Sequence, residues 1–411
     1  MKIKNKLGIE VLKLSIPTII SIILSNASGI VDLFFVANLP KNNQTILGLV
    51  FPFQALIQAL GYLIGHGGAI IYGRENNNKI IGKTIIILDL IIGTISTLIG
   101  IIISIFIDKN IFKYYFIIIS ISSIFIILEL SINNLLRFNK CVIGPMLILL
   151  TGFIINFILD YLLIYKLNIG IIGNSISYLF SHLIIFILLL VLYIFKTKDN
   201  INIIFNLSYK ELIKLGLPSF LYQGLTSLSL FIMNIISKSY NEEYIILINI
   251  CNRLYFLLLA IPYGIGQAIM PLILKKNKSI YLISIIYTLL FLLVEVPLTI
   301  YSNNIISYFV SYNISYQRGF ILILLAIPFI SITILINIIL QCKSNIVISN
   351  ILAILRAGGI FIPLVVILNI IIKDNSIFLA RLISDVLGFI ISIIIILKYK
   401  LFSNYNENNE I

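Results

Sequence analysis

The sequence predicts an all-α integral membrane protein of about twelve transmembrane helices, arranged as two six-helix lobes related by a parallel internal repeat. Three observations predict it. The 411 residues are 60% hydrophobic and 11% charged, with a mean hydropathy of +1.11, too little charge to cover a globular surface in water. The apolar runs are each long enough to cross a hydrocarbon core about 30 Å thick, and they do not alternate as barrel strands would. Short patterns also recur half a chain apart. Lys13-Leu14-Ser15-Ile16-Pro17 returns as Lys214-Leu215-Gly216-Leu217-Pro218, and Gly61-Tyr62-Leu63-Ile64-Gly65 as Pro262-Tyr263-Gly264-Ile265-Gly266, both 201 residues later.

The spans are expected at 12–36, 46–72, 81–106, 113–136, 142–165, 170–195, 211–236, 244–271, 279–301, 319–341, 346–371 and 376–398. Residues 1–200 then form the first lobe, 201–402 the second, and 403–411 a polar tail. The stretch 303–317, where Tyr and Ser alternate with Ile, reads as an outer loop or interfacial helix. The basic start runs directly into a long span retaining Pro17 and Asp32, which reads as a first helix and not as a cleaved leader. Paired lobes of this kind are common in secondary transporters, with the substrate path between them, so transport is the leading expectation.

Charge sets the orientation. With the N-terminus inside, 19 Lys and Arg residues fall on inner segments and 7 on outer ones, and Arg253, Arg356 and Arg381 fall within spans. This positive-inside bias puts both termini in the cytoplasm. It also assigns most of the net charge of +13 to cytoplasmic lysine, leaving little for nucleic acid to bind. The expected partners are the lipid bilayer and a small-molecule substrate, and the two-lobe plan needs only a monomer. Cys141, Cys251 and Cys342 are scattered and the two histidines lie in different spans, a pattern that gives no reason to expect disulfides, a cofactor or a metal centre.

Ionisable residues inside spans are costly and mark function. In the first lobe these are Asp32, Asp89, Glu129 and Asp160, with no Arg or Lys away from the ends of the same lobe's spans to neutralise them; the second has Glu295 and Asp385 beside its three arginines. A carboxyl without a cationic partner in a low-dielectric medium favours its neutral form, which suits proton uptake and release, so the first lobe reads as the ion-coupling half. Asp32 and Asp160 lie at similar depth in the outer half, with Asn156 one turn below Asp160. Ser177 and Tyr178 enter the same level from the sixth span. Asp89 and Glu129 lie nearer the inner side, as a separate pair or an inner relay. Arg381 and Asp385, four residues apart on one helix, are expected to pair.

At these positions the sequence resembles the multidrug and toxic compound extrusion (MATE) family. The resemblance rests on Pro17 followed by Val31-Asp32-Leu33-Phe34-Phe35-Val36, the Gly-rich Gly65-His66-Gly67-Gly68-Ala69 with Gly73-Arg74, and Asn156-Phe157-Ile158-Leu159-Asp160 before Gly170-Ile171-Ile172-Gly173. Further on it rests on Asn252-Arg253, Pro262 to Gln267, Pro271, Arg356 and Pro363. It implies export of lipophilic or cationic small molecules, drugs or metabolites, in exchange for H⁺ or Na⁺, from a bacterial cytoplasmic membrane. It further implies a proton or Na⁺ site at Asp32, Asn156 and Asp160, with Ser177 and Tyr178 where some members carry a threonine. Pro17, which removes a backbone hydrogen bond, is the expected hinge. Phe53, Gln54, Gln58, Tyr62, Tyr222 and Gln223 are candidate walls of an apolar, aromatic-lined substrate cavity. A lipid-linked saccharide flippase of the same superfamily is the alternative; a membrane-embedded enzyme would need a catalytic cluster that the sequence does not offer.

Overall fold

The computed structural model describes residues 2–75, 79–108, 110–197, 209–240, 242–273, 279–291, 293, 295–302, 304, 314–343, 345–373 and 375–398. Among them, helix is the only regular structure. The first lobe comprises α1 (Lys2–Ala37), α2 (Lys41–Arg74), α3 (Lys79–Ile105), α4 (Asn110–Phe138), α5 (Ile143–Lys166) and α6 (Ile171–Thr197). The second comprises α7 (Tyr209–Lys238), α8 (Glu242–Ile273), α9 (Ser279–Phe291), α10 (Glu295–Ile300), α11 (Ile314–Cys342), α12 (Ile346–Ile371) and α13 (Ser376–Lys398). Isoleucine is a mediocre helix former in water, yet these Ile-rich runs are helical because in hydrocarbon only a helix satisfies each backbone group within its own segment.

The ninth expected span departs from the sequence reading. It is described as two helices, α9 and α10, with Pro297 in the first turn of the second, where a missing N–H breaks no helical bond. Eleven helices among the described residues are therefore long and apolar enough to cross a membrane. The Glu295 side chain, most of the outer stretch 303–317, the linker residues 198–208 and the tail 403–411 lie outside the described residues. Helix α1 continues through Pro17. Around it, Thr18 Oγ1 donates to the Leu14 carbonyl at 2.7 Å and Ser21 Oγ to the Pro17 carbonyl at 2.8 Å, a common way for hydroxyls in spans to satisfy themselves.

Packing repeats as the sequence does. The first lobe's contacts α1–α5, α2–α4, α4–α6 and α5–α6 recur as α7–α12, α8–α11, α11–α13 and α12–α13. Between the lobes the pairs α1–α8 and α2–α7 exchange places under the same correspondence, and they form the most extensive helix contacts in the molecule. Side chains reach across to carbonyls along both seams. Asn234 Nδ2 donates to the Gly48 carbonyl at 3.0 Å, Ser227 Oγ to that of Pro52 at 2.6 Å, and Asn26 Nδ2 to that of Phe256 at 2.9 Å. His66, from the Gly-rich stretch, meets Ser219 Oγ at 2.8 Å. The outer faces of α3, α6, α12 and α13 present Leu98, Ile102, Phe195, Ile370 and Ile394, all exposed, as expected of a surface wetted by lipid.

Where α2 crosses α7 the backbones nearly touch. A Cβ on Gly216 would collide with the Leu63 carbonyl, and one on Gly67 with the Leu212 carbonyl. Gly216→Ala is therefore expected to lower the melting temperature of the detergent-purified protein, at a cost of about 1–3 kcal/mol, the usual range for overpacking. Gly224→Ala on the same helix, where the new Cβ meets nothing nearer than Phe220 Cζ at 4.0 Å, should leave it unchanged or raise it; size-exclusion melting curves compare the two.

Candidate functional site

The site is assembled by the turn between α5 and α6. The C-terminal end of α5, Tyr161–Lys166, widens into a π-helix immediately after Asp160, a feature that recurs at functional sites. The chain then reverses through Asn168 and Gly170, both at positive φ, with Gly170 at 71°. Gly173 lets α6 start against that π-turn: a Cβ there would lie 2.9 Å from Leu163 Cβ. This close start sets Asn174 and Ser177, one turn apart on α6, beside Asp160, while α1 brings Asp32 and α4 brings Tyr115.

The Asn174 side-chain amide bridges the two acids. Its Nδ2 lies 3.0 Å from Asp32 Oδ1, and 3.2 and 3.4 Å from the two oxygens of Asp160. Ser177 Oγ donates to Asp160 Oδ1 at 2.5 Å, Asn156 Nδ2 to Ser177 Oγ at 3.0 Å, and Tyr115 Oη to Asn174 Oδ1 at 3.0 Å. The two carboxyl groups are themselves within hydrogen-bonding reach. None of these six side chains is more than 2% exposed. Two carboxylates so close repel, and a proton or one monovalent cation between them removes the repulsion. Asn156 Oδ1 has no hydrogen-bond partner, so Asp32, Asp160, Ser177 and Asn156 together offer an all-oxygen donor set suited to a hard cation. Among the described residues no three His, Cys, Asp or Glu side chains gather as a transition-metal site.

Two neighbours were not legible as partners. Asn174 lies one turn before Ser177, and a polar residue at that spacing in an apolar helix is the signal that would have found it. Arg253 comes from the other lobe: it donates to the Gly29 carbonyl, one turn before Asp32, lies 4.9 Å over the Phe51 ring, and is near enough to Asp32 for their charges to interact. The expectation that the first lobe's acids lack a nearby cation is corrected by this cross-lobe arginine.

Tyr178 does not touch the carboxyl groups; its ring packs edge-on against His182 at 4.3 Å. His182 Nδ1 stands 3.0 Å from Glu129 Oε2. Asp89 is fully buried and accepts from Ser131 Oγ at 2.9 Å, so it and Glu129 have different partners and do not pair. Glu129, His182 and Tyr178 line both a larger pocket and a smaller one. Asn156 lines the smaller, which shares Ser25, Ser28 and Leu149 with the larger as well. The larger pocket is also lined by Gln58 and Tyr62, together with Asn26, Arg137 and Gln267. Arg137 is held there by Asn134 Oδ1 at 2.9 Å and by Gln267 Oε1, across the lobes, at 2.6 Å.

Amides and charged groups share this lining with Ile22, Ile126, Leu130 and Leu149. Phe53, Gln54, Tyr222 and Gln223 are not in its lining. Phe53 packs on Phe116 at 4.6 Å, Gln54 is buried, and Tyr222 lies under Arg356. Gln223 Nε2 reaches only the rim, donating to Gln58 Oε1 at 3.2 Å. In the second lobe, Arg381 and Asp385 form no direct ion pair; Tyr255 stands between them, its hydroxyl donating to Asp385 Oδ2 at 2.7 Å and its ring 5.2 Å from Arg381.

No protein-family model matches the chain. In sequence it is similar to the multidrug export protein MepA of Staphylococcus saprophyticus, 25% identical over 283 residues, and to that of Staphylococcus haemolyticus, 25% over 284. Each match covers 63% of this chain and 62% of the relative, less than two thirds of the relative's length. In fold it is similar to an outward-facing multidrug resistance MATE transporter of the MOP superfamily, with TM-score 0.81, 19% identity and 96% of each chain covered. A substituted form of a Vibrio cholerae MATE transporter superimposes with TM-score 0.80 at 14% identity, over 98% of this chain and 99% of that one. In sequence the chain is thus similar to multidrug export proteins of the MepA kind, and in fold to solved MATE transporters.

Proposed function

We propose that the chain is a secondary active exporter of small organic molecules, working by alternating access and driven by inward movement of H⁺ or Na⁺. The observation that carries this reading is the buried Asp32–Asn174–Asp160 bridge, whose neighbour Asn156 lines a pocket that it shares with Glu129 and His182. Binding one proton or one Na⁺ screens the repulsion between the carboxyl groups and draws α1 toward α5 and α6. Releasing it restores the repulsion on α1, whose backbone lacks a hydrogen bond at Pro17, and α1 bends there. Since α1 also forms the seam with α8, its movement reshapes the central cavity and shifts access from one side to the other.

The cavity supports a substrate class. Glu129, paired with His182, offers one carboxylate toward the space, and the surrounding amides and hydroxyls offer hydrogen bonds. That favours organic cations that also carry hydrogen-bonding groups. A lipid-linked saccharide would ask for a strongly basic cavity, whereas here Arg137 is already held by Asn134 and Gln267 and faces an acid. The positive-inside pattern supports insertion in a bacterial cytoplasmic membrane with both termini inside, and the two lobes form a complete path within one monomer.

Efflux of a fluorescent organic cation from proteoliposomes under imposed pH or Na⁺ gradients tests the reading. Wild-type transport should follow one of the gradients, and Asp32→Asn and Asp160→Asn should each slow it at least tenfold, about 1.4 kcal/mol or more in the coupled step. Transport indifferent to both gradients would refute coupled export. Asn174→Leu, which removes the shared amide while keeping both acids, should weaken coupling-ion affinity about tenfold, within the range for a hydrogen bond to charged groups; ion-dependence curves of the transport rate measure it. Glu129→Gln should raise the KM for the cation about tenfold with the maximal rate largely kept, whereas the Asp variants lower the maximal rate. Initial-rate curves separate the two roles.

A further inference from the structure

A second charged cluster lies buried in the other lobe, and the coupling mechanism makes no use of it. Helix α12 widens at Leu355–Gly359, as α5 does after Asp160, and this turn carries Arg356. Arg356 is 2% exposed, Arg381 4% and Asp385 0%. The Arg356 guanidinium lies 3.5 Å over the Tyr222 ring and donates from Nη2 to Tyr263 Oη at 3.3 Å, while its Nε and Nη1 find no acceptor. Arg381 lies 4.3 Å over Phe361 and 5.2 Å over Tyr255, with Nη2 unpartnered. Asp385 Oδ2 accepts from Tyr255, and its Oδ1 has no partner. Among the described residues neither arginine forms a salt bridge.

Two permanent cations and one carboxylate leave a net positive charge inside the lobe. Arginine does not shed its proton in proteins, and an uncompensated buried charge is strongly unfavourable. Aromatic faces soften that cost but do not cancel a charge. Water could fill the free N–H positions without neutralising the cluster. There is also room: Gly388, buried on α13 one turn beyond Asp385, would present a Cβ to nothing nearer than Arg356 Cγ at 4.0 Å. Tyr222 and Tyr263, whose rings lie 5.7 Å apart, connect the cluster to the lobe interface beside Gln223.

We propose that Arg356 and Arg381 form a binding site for one small monovalent anion, a halide or a single carboxylate group, held by their three free N–H donors in the space beside Gly388. Asp385 limits the net charge to one, which excludes phosphate and other multivalent anions. The bound anion completes the second lobe and fixes Tyr222 and Tyr263 at its inner face. On the proposed function the first lobe holds a cation and the second an anion, next to the widened turns of the corresponding helices α5 and α12.

The test uses the full-length protein in detergent, titrated with chloride, acetate or isethionate at constant ionic strength. Chloride or acetate should raise the melting temperature saturably, whereas the bulkier isethionate should not; whichever acts identifies halide or carboxylate as the occupant. In Arg356→Gln and Arg381→Gln the saturable part should disappear. Asp385→Asn removes a like charge, so it should bind the anion about tenfold more tightly. If the arginine variants do not fold, the Asp385→Asn shift and the ³⁵Cl line width or acetate relaxation of the wild type decide. Superimposable melting curves for all three anions in the wild type would overturn the proposal, as would an undiminished response in a folded Arg356→Gln protein.

Discussion

In hydrocarbon a polar group has no solvent to turn to, so each must find its partner within the protein. This constraint makes the Ile-rich runs helical, turns serine and threonine hydroxyls back onto their own helices, and stitches the lobes together through side chains that reach carbonyls of the opposite lobe. It also gives the exceptions their meaning. Where buried donors and acceptors have no partner, at Asn156 Oδ1 in one lobe and at the arginines in the other, the structure leaves positions that a mobile species can occupy.

The membrane class, the repeat and most spans were legible because hydropathy and spacing act over many residues and survive a biased composition. Asp32, Asn156, Asp160 and Ser177 were legible because a charged or paired polar group stands out in an apolar run, and the structure gathers them around one pocket. Asn174 was hidden by the abundance of asparagine in this chain, which makes a single one uninformative. Arg253, Gln267 and Tyr255 were hidden for another reason: their partners lie in other helices far along the chain, and helical spacing describes only neighbours on one helix. The direct Arg381–Asp385 pair expected from that spacing gave way to Tyr255, whose hydroxyl reaches the carboxylate first.

The two lobes share architecture and differ in charge. Helices α5 and α12 occupy corresponding places and both carry a widened turn, yet one presents Asp160 and the other Arg356. At the seam between the lobes backbone meets backbone at Gly67 and Gly216, whose counterparts 201 residues away are Ala268 and Ser15, so small residues recur where the chains must approach. Function is thus concentrated in pockets that the repeat positions but does not specify.

The widened turn after Asp160 has an effect on what lies above the pocket. In a regular α-helix a residue five places on points about 140° away, since each step turns about 100°. The π-turn holds Tyr165 much nearer the Asp160 side. There its hydroxyl accepts from Asn38 at the end of α1, and its ring packs 5.6 Å from Phe35, which in turn meets Phe157 at 5.2 Å. One surplus residue in a helix therefore ties the end of α1 to the end of α5 through aromatic rings beside the acid cluster, by a phase shift instead of by an added loop.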